Sequence, residues 1–176
     1  MEGDPEIDGM PFSKLMDQAV KLRTHTHAHL RSKFDKWPRW YQNSMFDRPE
    51  LQKERELPFQ DRVQAFISRK EQAEKWLVKK DPLQAANDFE TALAIFKYIH
   101  NTHPGWKKKG IYDEHIQERD NMGTSTEERE QAACLMADVL LRLADLYGGP
   151  LGERAAALGA CGSAVGLTAP FPPAGA

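Results

Sequence analysis

Apolar residues recur with a helical period along most of the chain. Between residues 126 and 147, Ala132, Leu135, Met136, Val139, Leu140, Leu143, Leu146 and Tyr147 follow three- and four-residue steps, the pattern of one apolar helix wall. Ser125 and Glu128 in front of that run fit a capping box, and Glu127 adds negative charge near the helix N-terminus. Gly148-Gly149-Pro150 supplies the stop. Earlier, a long helix starts after Pro58 and carries Val63, Phe66, Ile67, Lys70, Ala73 and Leu77. Asp81-Pro82 separates it from a second helix, with Asp as N-cap and Pro at the first helical position. Phe89, Ala92, Phe96 and Ile99 mark the apolar face of that second helix. Before these, a patchier helix is expected over 13–36, capped by Ser13, and a short one over 111–119. The pattern predicts an all-α chain built of antiparallel helix pairs.

Two of these units carry small and aromatic residues in the same order. Ala73, Trp76, Ala85, Phe89 and Ala92 mark the first, and a shift of 71 residues takes Ala73 to Ala144, Trp76 to Tyr147 and Ala85 to Ala156. Small residues let paired helices touch closely while aromatics fill the gaps beside them. In this respect the chain resembles the tetratricopeptide domain of the large immunophilins and related co-chaperones, over roughly residues 66–158. The resemblance implies a helical repeat with a long insert, a concave binding face and a protein partner. Family members that grip an acidic chaperone tail do so with Lys and Asn on the inner helices. Lys70 matches the first such position. Glu74 and Arg142 stand where Asn is usual, and Glu74 would repel a carboxylate. The full motif needs at least three repeats, and this chain offers one and a half.

Composition is that of a helix-rich chain with a modest core: 40% apolar and 28% charged residues over 176 positions. A formal net charge of −2 gives no global attraction to nucleic acid or anionic membrane. No apolar run is long enough to span a bilayer, and the acidic N-terminal stretch does not read as a signal peptide, so a cytoplasmic location, with cytoskeletal association open, is expected. The organisation expected is a flexible lead-in (1–12), a helix plus aromatic and basic linker (13–57), a helical domain (58–160, with an insert at 100–124) and a disordered Ala/Gly/Pro tail (161–176). Residues 50–56 read as a charged bridge.

Candidate chemistry is sparse. Cys134 and Cys161 lack metal-ligand or disulfide-framework spacing, and Cys134 is expected in the core. His25 and His29 share a helix face at i,i+4 and could hold a metal, but no third ligand is placed near them, and a solvated face is the better explanation. No phosphate loop, nucleophile elbow or metalloprotease motif appears, so neither an enzyme nor a cofactor is expected. Trp37, Trp40 and Tyr41, among Lys and Arg, could stack on bases, dock on their own domain or meet a partner. Lys107, Lys108 and Lys109 beside Trp106 read as a solvated loop whose Trp packs back. The expected function is a non-enzymatic protein-interaction module holding a peptide or helix of another protein. Its surface is Lys70, Lys80, Arg142 and Asp145, supported by Trp76 and Tyr147, with Trp37, Trp40 and Tyr41 as further partner contacts. A structural subunit of a large cytoskeletal or ciliary assembly is the alternative, and nucleic-acid binding a third.

Overall fold

The computed structural model describes residues 6–7, 10–46 and 49–168, with the side chains of 6–7, 23–28 and 168 left aside. The chain is predominantly helical and divides into two compact units, Met1–Lys36 with His103–His115, and Trp37–Thr102 with Ile116–Ala176. The first division falls at Lys36, inside the segment that the sequence grouped as 13–57.

The larger unit is built on two helix pairs. Helix α5 (Phe59–Val78) pairs with α6 (Pro82–Phe96), and α8 (Thr126–Gly148) with α9 (Arg154–Thr168). On α5, Phe59, Val63, Phe66 and Ala73 are buried, at helical steps. Lys80 turns the chain with a φ of 60°, and the Asp81 side chain then accepts from Gln84 N–H at 3.0 Å, with Pro82 behind it. Helix α6 is buried on several faces, from Ala85 and Phe89 through Leu93 to Phe96, and sits at the centre of the unit. Phe66 and Phe59 meet Phe96 there, with ring centroids 5.4 and 6.0 Å apart.

Helix α6 stops at Phe96, short of the Ile99 that the apolar pattern had assigned to it. Lys97 is extended, and strand β3 (Lys97–Asn101) pairs antiparallel with β4 (Ile116–Asp120), with Ile99 opposite Glu118. This also corrects the helix expected over 111–119. The β-branched and aromatic pair Tyr98-Ile99 gains more from cross-strand pairing than from another helical turn. Ser44 Oγ accepts from Ile99 N–H at 3.0 Å, and Asn121 N–H donates to Phe96 carbonyl at 2.7 Å, closing the hairpin base.

At the start of α8 the capping box is formed: Ser125 Oγ accepts from Glu128 N–H at 3.2 Å, and the Glu128 carboxylate accepts from Ser125 and Thr124 N–H. Gly123 precedes it at φ 124°, where a Cβ would lie 2.4 Å from that of Glu128, so only glycine fits. Cys134 is exposed, against the core assignment, because Ala133 and Ala137 carry the buried phase of the helix. Helix α9 reaches Thr168, so residues 161–168 of the expected tail are helical, and Ala160 and Ala164 are buried. The rest of the tail, 169–176, lies outside the described residues.

Two short helices complete this unit. Helix α3 (Arg39–Asn43) follows Pro38, and α4 (Pro49–Arg55) replaces the expected charged bridge. Arg55 explains α4: its guanidinium is buried, donates to the Ala94 and Ser44 carbonyls at 2.8 and 3.1 Å, and lies 3.7 Å over the Tyr98 ring.

In the smaller unit, β1 (Glu6–Ile7) pairs with β2 (Met10–Pro11), which leads into α1 (Phe12–Ala28). These replace part of the expected lead-in, and Ser13 lies inside the helix rather than capping it. The helix expected to run to Lys36 is interrupted by a 3-10 turn at His29–Arg31 before α2 (Ser32–Lys36). Asp113 fixes α2, accepting from Lys33 and Phe34 N–H at 2.7 and 3.0 Å. Helix α7 (Trp106–Lys109) and the His103 and His115 rings, tilted against each other with centroids 5.1 Å apart, fill the inserted segment. Trp106 is half-buried there, with the Lys107 ammonium 5.8 Å from its ring.

Candidate functional site

The repeat positions are mostly interior. Ala73, Ala85, Phe89, Ala92, Ala144 and Tyr147 are buried, and Ala156 is half-buried. Trp76 is partly exposed, donating from Nε1 to Asp88 at 2.8 Å with the Lys79 ammonium 4.5 Å from its ring. These residues shape helix contacts and do not form a ligand surface.

Most of the expected charged residues lie where α5 and α8 face each other. Lys70 Nζ lies 2.7 Å from Asp138, and Arg142 lies 4.0 Å from Glu74. Each helix supplies residues one turn apart in the same order, so α5 and α8 run in the same direction. The Lys70 and Arg142 charges are therefore already matched across the face, and an acidic peptide would have to displace Asp138 and Glu74. Asp145 continues the face and is exposed. Lys80 does not belong to it, since it occupies the left-handed turn between α5 and α6.

The aromatic segment is positioned from two sides. Arg39 Nε sits 3.0 Å from the Glu90 carboxylate, and the Arg39 guanidinium also pairs with Glu153 and lies 5.1 Å over the Tyr147 ring. Glu90, 5% exposed, further accepts from Tyr147 Oη and from Asn43 Nδ2. A buried carboxylate with three donors is held in place by charge-assisted bonds, and it clamps α3 to α6 and α8. Neither Arg39 nor Glu90 stood out in the sequence, because an acid in an apolar helix carries no local signal of its distant partner.

The clamp fixes three rings. Trp37 and Tyr41 meet edge to face with centroids 5.3 Å apart, and Trp40 and Tyr41 lie 5.1 Å apart. Trp40 and Tyr41 are buried in their own unit. Trp40 Nε1 donates to Ser163 Oγ on α9 at 3.1 Å, and Tyr41 Oη to Glu118 on β4 at 3.4 Å. Burial pushes the Tyr41 hydroxyl well above the ordinary tyrosine value, and the Glu118 charge pushes it further. Trp37 keeps an accessible part. It opens onto a cleft of about 360 Å³ walled by Pro38, the three rings, Lys97 and Glu118 of the hairpin, and Gly166 and Leu167 of α9. Lys97 and Glu118 were missed because their strands read as helix.

A smaller cleft of about 270 Å³ opens beside Asn43, Asn87 and Glu90, but its carboxylate is already saturated by the three donors. The α1 backbone ends at Ala28 and His29 enters the 3-10 turn, so His25 and His29 do not share one continuous helix; the His25 side chain lies outside the described residues. Among the described residues no group of three or more His, Cys, Asp and Glu is placed to hold a metal ion, and no helix is long and apolar enough to cross a membrane. No protein-family model, no curated protein and no solved structure significantly matches the chain.

Proposed function

We propose that the chain is a non-enzymatic protein-interaction module, a tetratricopeptide-like pair of helical hairpins that holds a peptide of another protein. The aromatic cleft at Trp37 carries this reading. Its volume, about 360 Å³, falls within the roughly 300–1,000 Å³ of ligand sites. Its walls combine rings with one cation and one anion, the composition that binds extended peptides by apolar contact and sets register by charge. The tetratricopeptide-like scaffold is supported by the two helix pairs, by the buried small residues at Ala73, Ala85 and Ala92, and by the common direction of α5 and α8. The ion pairs on the α5–α8 face speak against an acidic chaperone tail as its ligand.

A second reading, a structural subunit of a larger assembly, draws on exposed apolar side chains: Val78 and Leu83 beside the α5–α6 turn and Leu141 on α8. Sedimentation of the full chain, with circular dichroism on the same sample, separates the two. A helical monomer with one cooperative melt supports the module. Self-association at micromolar concentration supports the subunit and overturns the module as the primary role.

A further inference from the structure

We propose that Arg62 and Tyr98, on the face of the β3–β4 hairpin turned away from the Trp37 cleft, form a second site that binds a carboxylate of a partner protein.

Arg62 occupies the buried phase of α5, among Phe59, Val63 and Phe66, where the helix otherwise carries apolar residues. It is 8% exposed, and its Nε meets no acceptor among the described residues. Arg55, 7% exposed, sets the contrast, because its guanidinium donates to the Ala94 and Ser44 carbonyls. The carboxylate that acts on Arg62 is Glu128, which is already engaged in the α8 cap by Thr124 and Ser125 N–H at 2.8 and 3.4 Å. Burial pulls the Arg62 guanidinium below the ordinary arginine value, and Glu128, followed by Tyr98, offsets only part of this. A buried charge without a partner destabilises the chain. An incoming anion removes that penalty.

The hairpin brings another cation to the same face. Tyr98 lies opposite Arg119, and directly opposed residues project to one side with Cβ atoms about 4.5–5.5 Å apart. Lys97 and Glu118, which line the Trp37 cleft, alternate to the other side. The two sites are therefore separate, and this one does not rest on the reading of the Trp37 cleft. Arg55 lies 3.7 Å over the Tyr98 ring, and Arg119 donates to a neutral partner, Gln117 Oε1, at 2.7 Å. Tyr98 thus gathers three guanidiniums, and Arg62 is the one with an orphaned Nε.

Charge and shape select the ligand. A planar guanidinium meets both oxygens of a carboxylate in one plane, and the Tyr98 hydroxyl can add a further donor. A phosphate monoester, with a charge of about −2, would meet roughly twice the repulsion from Glu128 that a carboxylate does. The chain's own net charge of −2 likewise disfavours a polyanion such as nucleic acid. An acidic side chain or a C-terminus of another protein satisfies both limits.

The test is an NMR titration of the full chain, read at the Arg62 Nε–Hε signal and at the backbone amides of β3. Two probes separate the sources of the carboxylate. Acetyl-tetraglutamate amide carries it on side chains alone, and acetyl-tetraglutamine with a free C-terminus carries it at the end alone. Saturable movement of the Arg62 signal with at least one probe is expected. Binding read at the β3 amides should weaken at least about tenfold in Arg62→Met, the scale of a lost charged hydrogen bond. Tyr98→Phe should weaken it in the same direction, and it decides the matter if Arg62→Met does not fold. No saturable movement, or binding that both variants leave unchanged, overturns the proposal. Loss of binding in Lys70→Ala in place of these variants also overturns it, as does tighter binding of inorganic phosphate or a single-stranded oligonucleotide than of either peptide.

Discussion

Tyr147 of α8 donates its phenolic hydrogen to the buried carboxylate of Glu90 on α6, and the same carboxylate holds Arg39 and Asn43 of α3. One acid thus sets where the Trp37–Tyr41 segment lies. Tyr147→Phe removes a donor and leaves the rest of the ring in place. The expected loss is about 1–3 kcal/mol, the cost of an unsatisfied partner at a buried charged group. Chemical denaturation of the two proteins at neutral pH measures it.

The same hydroxyl gives an alkaline signature. Burial, followed by the Glu90 charge, raises the Tyr147 hydroxyl above the ordinary tyrosine value of 10.0. A group raised on folding contributes stability that is complete below its unfolded value and is lost as pH climbs above it. Stability of the native chain should therefore fall as pH rises beyond about 10. Tyr147→Phe should flatten that decline; identical alkaline slopes would show that Tyr147 ionises as freely folded as unfolded. Tyr41, raised in the same direction beside Glu118, accounts for part of the slope that remains.

Asp120 gives the acid counterpart. Burial pushes its carboxyl up, but the Met122 N–H, at 3.1 Å, and the Arg129 guanidinium, at 2.9 Å, outweigh it and leave the value below the ordinary one. A depressed carboxyl contributes stability above its unfolded value, and that contribution is lost as pH falls through the folded one. Asp120→Asn should accordingly reduce the stability lost below about pH 4. Denaturant midpoints at a series of pH values from neutral to strongly acid decide the point.

Sequence periodicity reached the helices whose partners are close in the chain. Helix α8 announces itself through the Ser125–Glu128 box and the Gly148-Gly149-Pro150 stop, and Asp81-Pro82 marks the start of α6. The hairpin did not show, because Ile99 continues the apolar step of α6 and only its pairing opposite Glu118 makes it a strand. The cleft was half legible. Its aromatic residues stood out by density, while Lys97 and Glu118 depend on strand register and Glu90 on contacts with α3 and α8. The helical stretch 161–168 was taken for tail because its Ala and Gly residues carry almost no pattern, although Ala160 and Ala164 are buried.

Helix α9 offers a controlled comparison between two of its glycines. A Cβ at Gly159 would lie 3.0 Å from Pro38 Cβ, part of a ring that cannot rotate away, whereas at Gly162 it would meet nothing within 4 Å. Alanine in a helix interior gains about 0.5–1 kcal/mol over glycine. Gly162→Ala should stabilise by that amount. At Gly159 overpacking of about 1–3 kcal/mol offsets the gain, so Gly159→Ala should be the less stable protein, and its α3 should loosen. Equal melting temperatures would mean that Pro38 does not rest on α9.

Charge on the α5–α8 face should matter little to the cleft. The Lys70–Asp138 pair, with side chains 27% and 49% exposed, should show a coupling of about 0–1 kcal/mol in a double-mutant cycle. A coupling well above that range would make the pair part of the core.

The most direct test of the interaction-module account is a titration. Peptides selected from a displayed library on the full chain are titrated into the native protein, Trp37→Ala and Lys70→Ala, with melting curves showing that all three are folded. The account predicts saturable binding that Trp37→Ala weakens at least about tenfold, or about 1.4 kcal/mol, the scale of an aromatic anchor. Lys70→Ala should change it less than about twofold. Failure to recover any binder, or binders that tolerate Trp37→Ala and respond to Lys70→Ala, would contradict the cleft at Trp37 as the binding site.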